Sequence, residues 1–481
     1  MSSRKPLINT IIYTFSSFLR KSISFLLIPV YTRVLTTQDY GVVGIITGVY
    51  TVLNVFFNLS LDSAIVRFYF NKNSVSDYHK KLYGSIITVI IALGIIFSMF
   101  FVSTAKWIIS PFLKGIEIYP YFYLGIIIVA TTPMFTIHQN ILKAQQNGLR
   151  FATQNLSRYT MQLLLILLFV VVYKTGALGV LGARAITGMV FYVFSLVILT
   201  KNYGLHFNKP ILKETMSYSI PLIPNKIALF VSLAINTVVI NSYKSTSDVG
   251  IFHVGSQFAM IILVFIQSIA TACLPWCFDQ LENHGMDGKK KIIRIFNMLL
   301  IMFSTFALIT SLFMEEIIKF VVSESFGTAW IVYSFLTFTY VFHIIKNVWL
   351  VPLLYNKKGT KFIPISTYVN VILILIFSLL LIPRYGIIGA GISTLLARFI
   401  SSFVMMYFSR KVEDIGYIPI KVYTYPLIMF VLSNIIFIPI PYLFIVKLLL
   451  SISAALIAYK IIGSDLALIY NILFNKNRKT V

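Results

Sequence analysis

Charge is scarce in this chain. Of 481 residues only 11% are Asp, Glu, Lys or Arg, against roughly a quarter in soluble domains, which excludes an ordinary water-exposed globular protein. Acidic residues are the rarest charged class, 15 against 40 Lys and Arg. Cysteine is almost absent: Cys273 and Cys277 stand four apart in an apolar segment, share a helix face, and lack the spacing of a four-ligand zinc site. They read as packing residues. The six histidines do not cluster, and His253 and His343, inside apolar segments, read as packing residues too. Gly285-Met-Asp-Gly-Lys289 lacks the spacing of a phosphate loop, so ATP binding is excluded.

Apolar length fills the space that charge leaves. Hydrophobic residues make up 58% of the chain, mean hydropathy is +0.87, and runs of about twenty apolar residues recur from end to end. The expectation is an all-α polytopic membrane protein with about fourteen transmembrane helices. They are placed near 9–32, 41–66, 82–104, 118–138, 155–173, 177–199, 215–240, 250–277, 293–314, 328–350, 362–382, 386–408, 422–440 and 442–460. The basic flank Arg4-Lys5 precedes an uncleaved spanning helix, since no small-residue cleavage site follows it.

The Lys and Arg left in loops test this map independently. With the N-terminus in the cytoplasm they fall on the inner side roughly four times as often as on the outer, which gives cytoplasmic N- and C-termini. Most of the +25 charge is therefore topology, and nucleic acid is not an expected partner. Every loop is short, so chemistry or transport has to occur within the helices.

Three local matches recur in order. Asp39-Tyr-Gly41 matches Asp248-Val-Gly250, Gly148-Leu-Arg150-Phe151 matches Gly359-Thr-Lys361-Phe362, and Gly176 with Gly179 matches Gly386 with Gly389, at offsets of 209, 211 and 210. The expected organisation is a six-helix lobe over 1–200, a second over 201–421, and two further helices with a basic tail over 422–481. Six is even, so the lobes would be related by a pseudo-twofold axis along the membrane normal, with substrate between them.

Seven cations fall inside expected spans: Arg20, Lys21, Arg184, Lys226, Lys346, Arg398 and Lys447. Each costs roughly 2.5–3.5 kcal/mol at a helix centre, so such residues face a water-filled cavity or a partner. Lys447 and Arg184, near span ends, read first as snorkelling or packing residues. Arg20 and Lys21 extend a polar stripe of Asn9, Tyr13, Ser16, Ser17 and Ser24 along one helix face. Lys226 stands among Asn225 and Asn236, with no acid at comparable depth in its own helix. Asp62 and Arg67 are five apart, a poor spacing for a same-helix pair, so Asp62 is expected to meet a neighbouring helix. The expected binding set is thus Arg20, Lys21, Lys226, Arg398, Lys346 and Arg184, with Asn9, Tyr13, Ser17, Ser24, Asn225, Asn236, Asp62 and Arg67 as cavity or gating residues. A cavity rich in cations and poor in carboxylates suits a phosphate or pyrophosphate.

Pro29-Val-Tyr-Thr-Arg33-Val-Leu followed by Asp39-Tyr-Gly41, then Ala64-Ile-Val-Arg67-Phe-Tyr, then Tyr385-Gly386-Ile-Ile-Gly389-Ala390-Gly391 resemble the polysaccharide transporter branch of the multidrug/oligosaccharidyl-lipid/polysaccharide exporter superfamily. The resemblance, which includes the Wzx-type flippases, covers nearly the whole chain. It implies two lobes forming a V, and alternating access that carries a polyprenyl-pyrophosphate-linked oligosaccharide across a bacterial cytoplasmic membrane. No cofactor is expected beyond a coupling ion or proton; a polysaccharide polymerase and glycosyltransferases are the expected protein partners. A drug/cation antiporter on the same fold needs a deep carboxylate, and a membrane glycosyltransferase, polymerase or ligase needs an acidic catalytic residue. The sequence favours neither, and no enzymatic activity is expected.

Overall fold

The computed structural model describes residues 27–69, 76–356, 359–416, 420–438 and 441–463, together with Asn9, Ile12, Tyr13, Phe15, Ser16, Leu19, Ser22, Ile23 and Phe25. Among the described residues the chain is helical without a strand, and eleven elements are long and apolar enough to cross a membrane. This is a multi-pass membrane protein. Every expected span from the second onward coincides with helix. The first falls largely outside the described residues, and α1 (Ile28–Val34) is its end.

The residues gather into two compact units, Met1–His253 and Val254–Val481. The first holds α2 (Thr37–Asn58), α3 (Leu61–Tyr69), α4 (Ser76–Thr104), α5 (Tyr123–Ala144), α6 (Gly148–Ile166), α7 (Gly176–Tyr203), α8 (Lys209–Ser219) and α9 (Ile223–Tyr243). Its core sets Leu61 and Ile65 of α3 against Leu82, Tyr83 and Ile86 of α4, Met134 and Ile137 of α5, and Leu199 of α7. Helix α10 (Thr246–Asn283) crosses the boundary between units. The second unit continues with α11 (Gly285–Leu312), α12 (Met314–Val321), α13 (Tyr333–Tyr355), α14 (Ile363–Val412), α15 (Ile420–Ser433) and α16 (Leu443–Ile462). Trp349, Phe338 and Phe342 of α13 pack there with Cys273, Cys277 and Leu300, so both thiols are core residues.

Local chemistry explains the breaks. The expected second span, 41–66, is two helices, because Leu59 and Ser60 both adopt left-handed conformations (φ 44° and 59°) and end α2 before α3 begins. Neither residue is a glycine, so no turn signal marks the break. Pro221 and Pro224 cannot donate to an α ladder, and between α8 and α9 the chain tightens to a 3₁₀ turn at Ile220–Leu222. Helix α14 has 50 residues and as a straight rod would be about 75 Å long, more than twice the hydrocarbon core. Gly386, at φ 57° and ψ −133°, turns it. The arms fold back on one another: Phe362 stacks on Phe408 at 4.9 Å, and Ser366 Oγ donates to the Ser401 carbonyl at 3.0 Å. One apolar element thus supplies the eleventh and twelfth spans.

Two of the sequence matches share local geometry. Thr36 and Asp39 form a capping box at the start of α2, with Asp39 N–H donating to Thr36 Oγ1 at 3.0 Å. At the start of α10 Asp248 N–H likewise donates to Ser245 Oγ at 3.0 Å, and Ser245 Oγ donates to Asp248 Oδ2 at 2.6 Å. Gly176 and Gly386 carry φ of 58° and 57° at the matched helix starts.

Candidate functional site

The expected site residues do not form one cluster, and one of them departs from expectation. Lys226 is not an unpaired cation: its Nζ donates to Asp62 Oδ1 at 2.7 Å, with the two side chains 25% and 21% exposed. The break at Leu59–Ser60 makes this possible, because it puts Asp62 in the first turn of a separate short helix that packs beside α8, the helix that leads into α9 and Lys226. Asn140 Nδ2 of α5 adds a bond to the Asp62 carbonyl at 3.1 Å. The buried Asn58 Oδ1, Ser60 Oγ and Asn225 Oδ1, neighbours in sequence of the two charges, have no hydrogen-bond partner among the described residues.

Arg184 of α7 sits apart from that pair. Its guanidinium donates to Thr47 Oγ1 at 3.0 Å and Tyr50 OH at 3.5 Å, both on α2. Asn236 is buried in α9 and Arg67 is exposed near the end of α3. Asn9 Nδ2 donates to the Gln146 carbonyl at 2.6 Å, so it braces the turn between α5 and α6. The Tyr13 ring meets Phe151 edge-on at 4.8 Å, and its buried hydroxyl has no partner among the described residues. Arg20, Lys21, Ser17 and Ser24 lie outside the described residues. Lys447, read as a snorkelling residue, is instead 2% exposed and donates to Glu316 Oε1 at 2.6 Å.

The second unit does bring expected cations together. Arg398 of α14 lies within electrostatic reach of Lys346 of α13 and of His343, one helical turn before Lys346. Phe342 and Phe399, their chain neighbours, meet edge-to-face at 5.0 Å and lock the two helices at this level. Among the described residues no carboxylate pairs with Lys346 or Arg398, and the buried Arg398 Nε and His343 Nδ1 have no hydrogen-bond partner. His343 also lines a cavity of about 270 Å³ with Gln267, Thr271 and Asn347. Two cations and an imidazole, with Arg398 Nε an open donor, form an anion-receiving group.

Sequence reading missed a further polar site in the first unit. A cavity of about 450 Å³ lies between α5 and α6, lined by Gln139, Asn140, Asn155, Gln162, Arg158 and Tyr159 among others. The hydropathy map ended the fourth span at 138 and began the fifth at 155, which left Gln139 and Asn140 in a loop and Asn155 at its edge. In the structure α5 runs to Ala144 and α6 starts at Gly148, with only a tight turn between them. Polar residues that face a cavity lower hydropathy without ending a helix. The signal was the pairing of Gln139-Asn140 with Gln154-Asn155, side by side on consecutive elements.

The model of a family described as "Polysaccharide biosynthesis protein" matches residues 7–281, more than half of the chain and the whole first unit beyond residue 6. The chain belongs to the polysaccharide biosynthesis protein family. Among curated relatives, "Capsular polysaccharide biosynthesis protein CapF" of Staphylococcus aureus is 26% identical over 46% of this chain, a match spanning 58% of CapF. An uncharacterized membrane protein of Haemophilus influenzae is 22% identical over 79% of this chain and 93% of its own length. Among solved structures, lipid II flippase MurJ in an inward closed conformation superposes with a TM-score of 0.72 at 16% identity, covering 96% of this chain and 100% of MurJ. An inward-facing multidrug resistance transporter of the MATE family reaches 0.60 at 14% identity, over 84% of this chain and 95% of that one. The fold of this polysaccharide biosynthesis family member is therefore shared with the lipid II flippase MurJ and with that MATE transporter.

Proposed function

We propose that the protein is a flippase that moves a polyprenyl-pyrophosphate-linked oligosaccharide from the inner to the outer leaflet of a bacterial cytoplasmic membrane, for assembly of a cell-surface polysaccharide. The observation that carries the reading is the group of Lys346, Arg398 and His343 inside membrane-spanning helices, without a carboxylate partner among the described residues. Cations at that depth are costly unless something anionic visits them. A pyrophosphate offers that charge and several acceptors at once. Family membership, the name of CapF and the fold of the lipid II flippase support a saccharide-lipid as the bearer of the phosphate.

In this reading Lys346 and Arg398 attract the headgroup, Arg20 and Lys21 join them on sequence grounds, and the lipid tail stays in the bilayer. The termini face the cytoplasm, and movement is by alternating access. A drug/cation antiporter fits less well, since Asp62, the span-level carboxylate the sequence singled out, is already held by Lys226. The test is mass spectrometry of polyprenyl-pyrophosphate-linked saccharides in cells lacking the protein. A complete repeat unit should accumulate, and wild type should clear it while the Lys346→Gln/Arg398→Gln variant does not. Unchanged intermediates in the deletion strain, with no second flippase present, would overturn the proposal.

A further inference from the structure

The cavity between α5 and α6 is unlike the cation group in its chemistry. Its polar lining includes four side-chain amides, Gln139, Asn140, Asn155 and Gln162, beside the hydroxyls of Ser16, Thr132 and Thr136, and two of the amides are cross-linked: Gln139 Nε2 donates to Gln154 Oε1 at 2.7 Å, and Asn155 Nδ2 donates to Gln139 Oε1 at 2.5 Å and to the Phe151 carbonyl at 3.1 Å. Such a network fixes each amide plane and leaves its remaining donor or acceptor pointing in a set direction. Gln162 faces the same space without a hydrogen-bond partner among the described residues. Phe135, Phe151 and Tyr159 are the aromatic part of the wall. Phe135 carries the Arg158 guanidinium over its face at 4.5 Å, and Phe151 carries the Lys143 ammonium at 5.0 Å. Both cations line the cavity, each seated on a ring.

Amides supply a donor and an acceptor side by side, which matches a hydroxyl that must give one hydrogen bond and receive another. A phosphate, by contrast, only accepts, so the amide carbonyls of this lining would be wasted on it. The ring carbons that these cations leave uncovered suit the C–H groups of a pyranose. At about 450 Å³ the cavity falls within the usual range of small-molecule sites, roughly 300–1,000 Å³. Its place in the fold adds a second argument: the lining comes from the C-terminal half of α5 and the N-terminal part of α6, which the loop charges put on the cytoplasmic side.

We propose that this cavity is a saccharide subsite that holds sugar residues of the cargo while it is loaded from the inner leaflet. The proposal rests on the flippase reading and assigns the sugars to the first unit, whereas the phosphate belongs to the Lys346 and Arg398 group.

The test is cysteine protection on the full-length protein in lipid nanodiscs. Gln162→Cys and Thr136→Cys report the amide cavity, and Asn347→Cys reports the cavity beside His343. Each is labelled with a maleimide in the presence of three probes: polyprenyl-pyrophosphate-linked saccharide extracted from the producing cells, the soluble saccharide released from it by mild acid, and bare polyprenyl pyrophosphate. At ten times its dissociation constant a ligand slows labelling about tenfold. Expected is slowing at Gln162→Cys and Thr136→Cys by the intact glycolipid and by the soluble saccharide, with no effect of the bare lipid. Slowing at Asn347→Cys by both lipids, with the amide-cavity cysteines unaffected by every probe, would overturn the saccharide subsite and leave the flippase reading standing. Amide-cavity slowing by bare polyprenyl pyrophosphate would also overturn it, as the site would then read phosphate. No protection anywhere would overturn both.

Discussion

The Asp62–Lys226 pair lends itself to a quantitative test that also decides the role of Lys226. At 2.7 Å and an effective dielectric constant of about 20, two unit charges attract by about 6 kcal/mol. Desolvation offsets much of this, by several kcal/mol for each ion when burial is complete; with about a quarter of each side chain exposed the offset is smaller. A net coupling of about 1–3 kcal/mol is expected, the range found for contacting pairs. Asp62→Asn leaves a cation in the span and Lys226→Met leaves a carboxylate there, so each single variant should lose about 1–2 kcal/mol, less than for a fully buried pair because both side chains are partly exposed. The double variant removes both charges and should lie within about 1 kcal/mol of wild type, as replaced ion pairs generally do. Reversible unfolding in mixed micelles measures the cycle, and clearance of lipid-linked saccharide in complemented cells gives the functional counterpart. If the pair is structural, the double variant recovers both stability and export. Single losses that add to within about 0.5 kcal/mol would refute the coupling. A double variant that is stable but fails to export would show that Lys226 touches the cargo.

Three further outcomes follow from the geometry. A side-chain carbon at Gly41 would lie 1.8 Å from the Thr246 carbonyl oxygen, whereas one at Gly182 would meet nothing within 4 Å; Gly41→Val should therefore destabilise by about 3 kcal/mol or more, and Gly182→Ala should gain up to about 1 kcal/mol of helix propensity, both read as shifts in thermal unfolding. Asp39→Ala removes the capping box of α2 together with the bond from Ala177 N–H to Asp39 Oδ1 at 2.9 Å, and should cost about 1–2 kcal/mol, again measured by unfolding. Cys273 and Cys277 are buried, so the wild-type protein should react with a maleimide only after denaturation; labelling under native conditions would contradict the packing of α10.

How much of this was legible beforehand depended on whether a feature was local. Hydropathy located the helices from α2 onward because a bilayer-length apolar run has few other uses. It could not see the end of α2, where Leu59 and Ser60 turn left-handed without a glycine or proline to signal it. It misjudged α5 and α6 because amides that face a cavity look like loop residues to a scale that averages over all faces of a helix. The Lys226–Asp62 contact spans 164 positions, and nothing in either helix names the other. His343, Lys346 and Arg398 were each visible as polar residues in apolar runs. Their grouping depends on the fold-back of α14 at Gly386 and on the Phe342–Phe399 contact, which are tertiary facts.

The matched positions of the sequence also separate scaffold from site. Gly41 abuts the Thr246 carbonyl, and Gly250 abuts the Thr37 carbonyl at 2.1 Å from its would-be side-chain carbon. Adding 209 to 41 and 37 gives 250 and 246, so the contact is reciprocal: each glycine is small because the first turn of the other helix occupies its side-chain space. The Asp-x-Gly triplet thus recurs as one device, an aspartate that caps its own helix and a glycine that admits its counterpart. The polar residues do not recur. At offsets of 210 and 211 from Gln139 and Asn155 stand Trp349, which is buried core, and Ser366, which ties the arms of α14 together. Residues that hold helices against one another are duplicated, while the amides of the first unit and the cations of the second each occur once. That is the pattern expected if the two units share a scaffold and bind different ends of one amphiphilic cargo, sugars in the first and phosphates in the second.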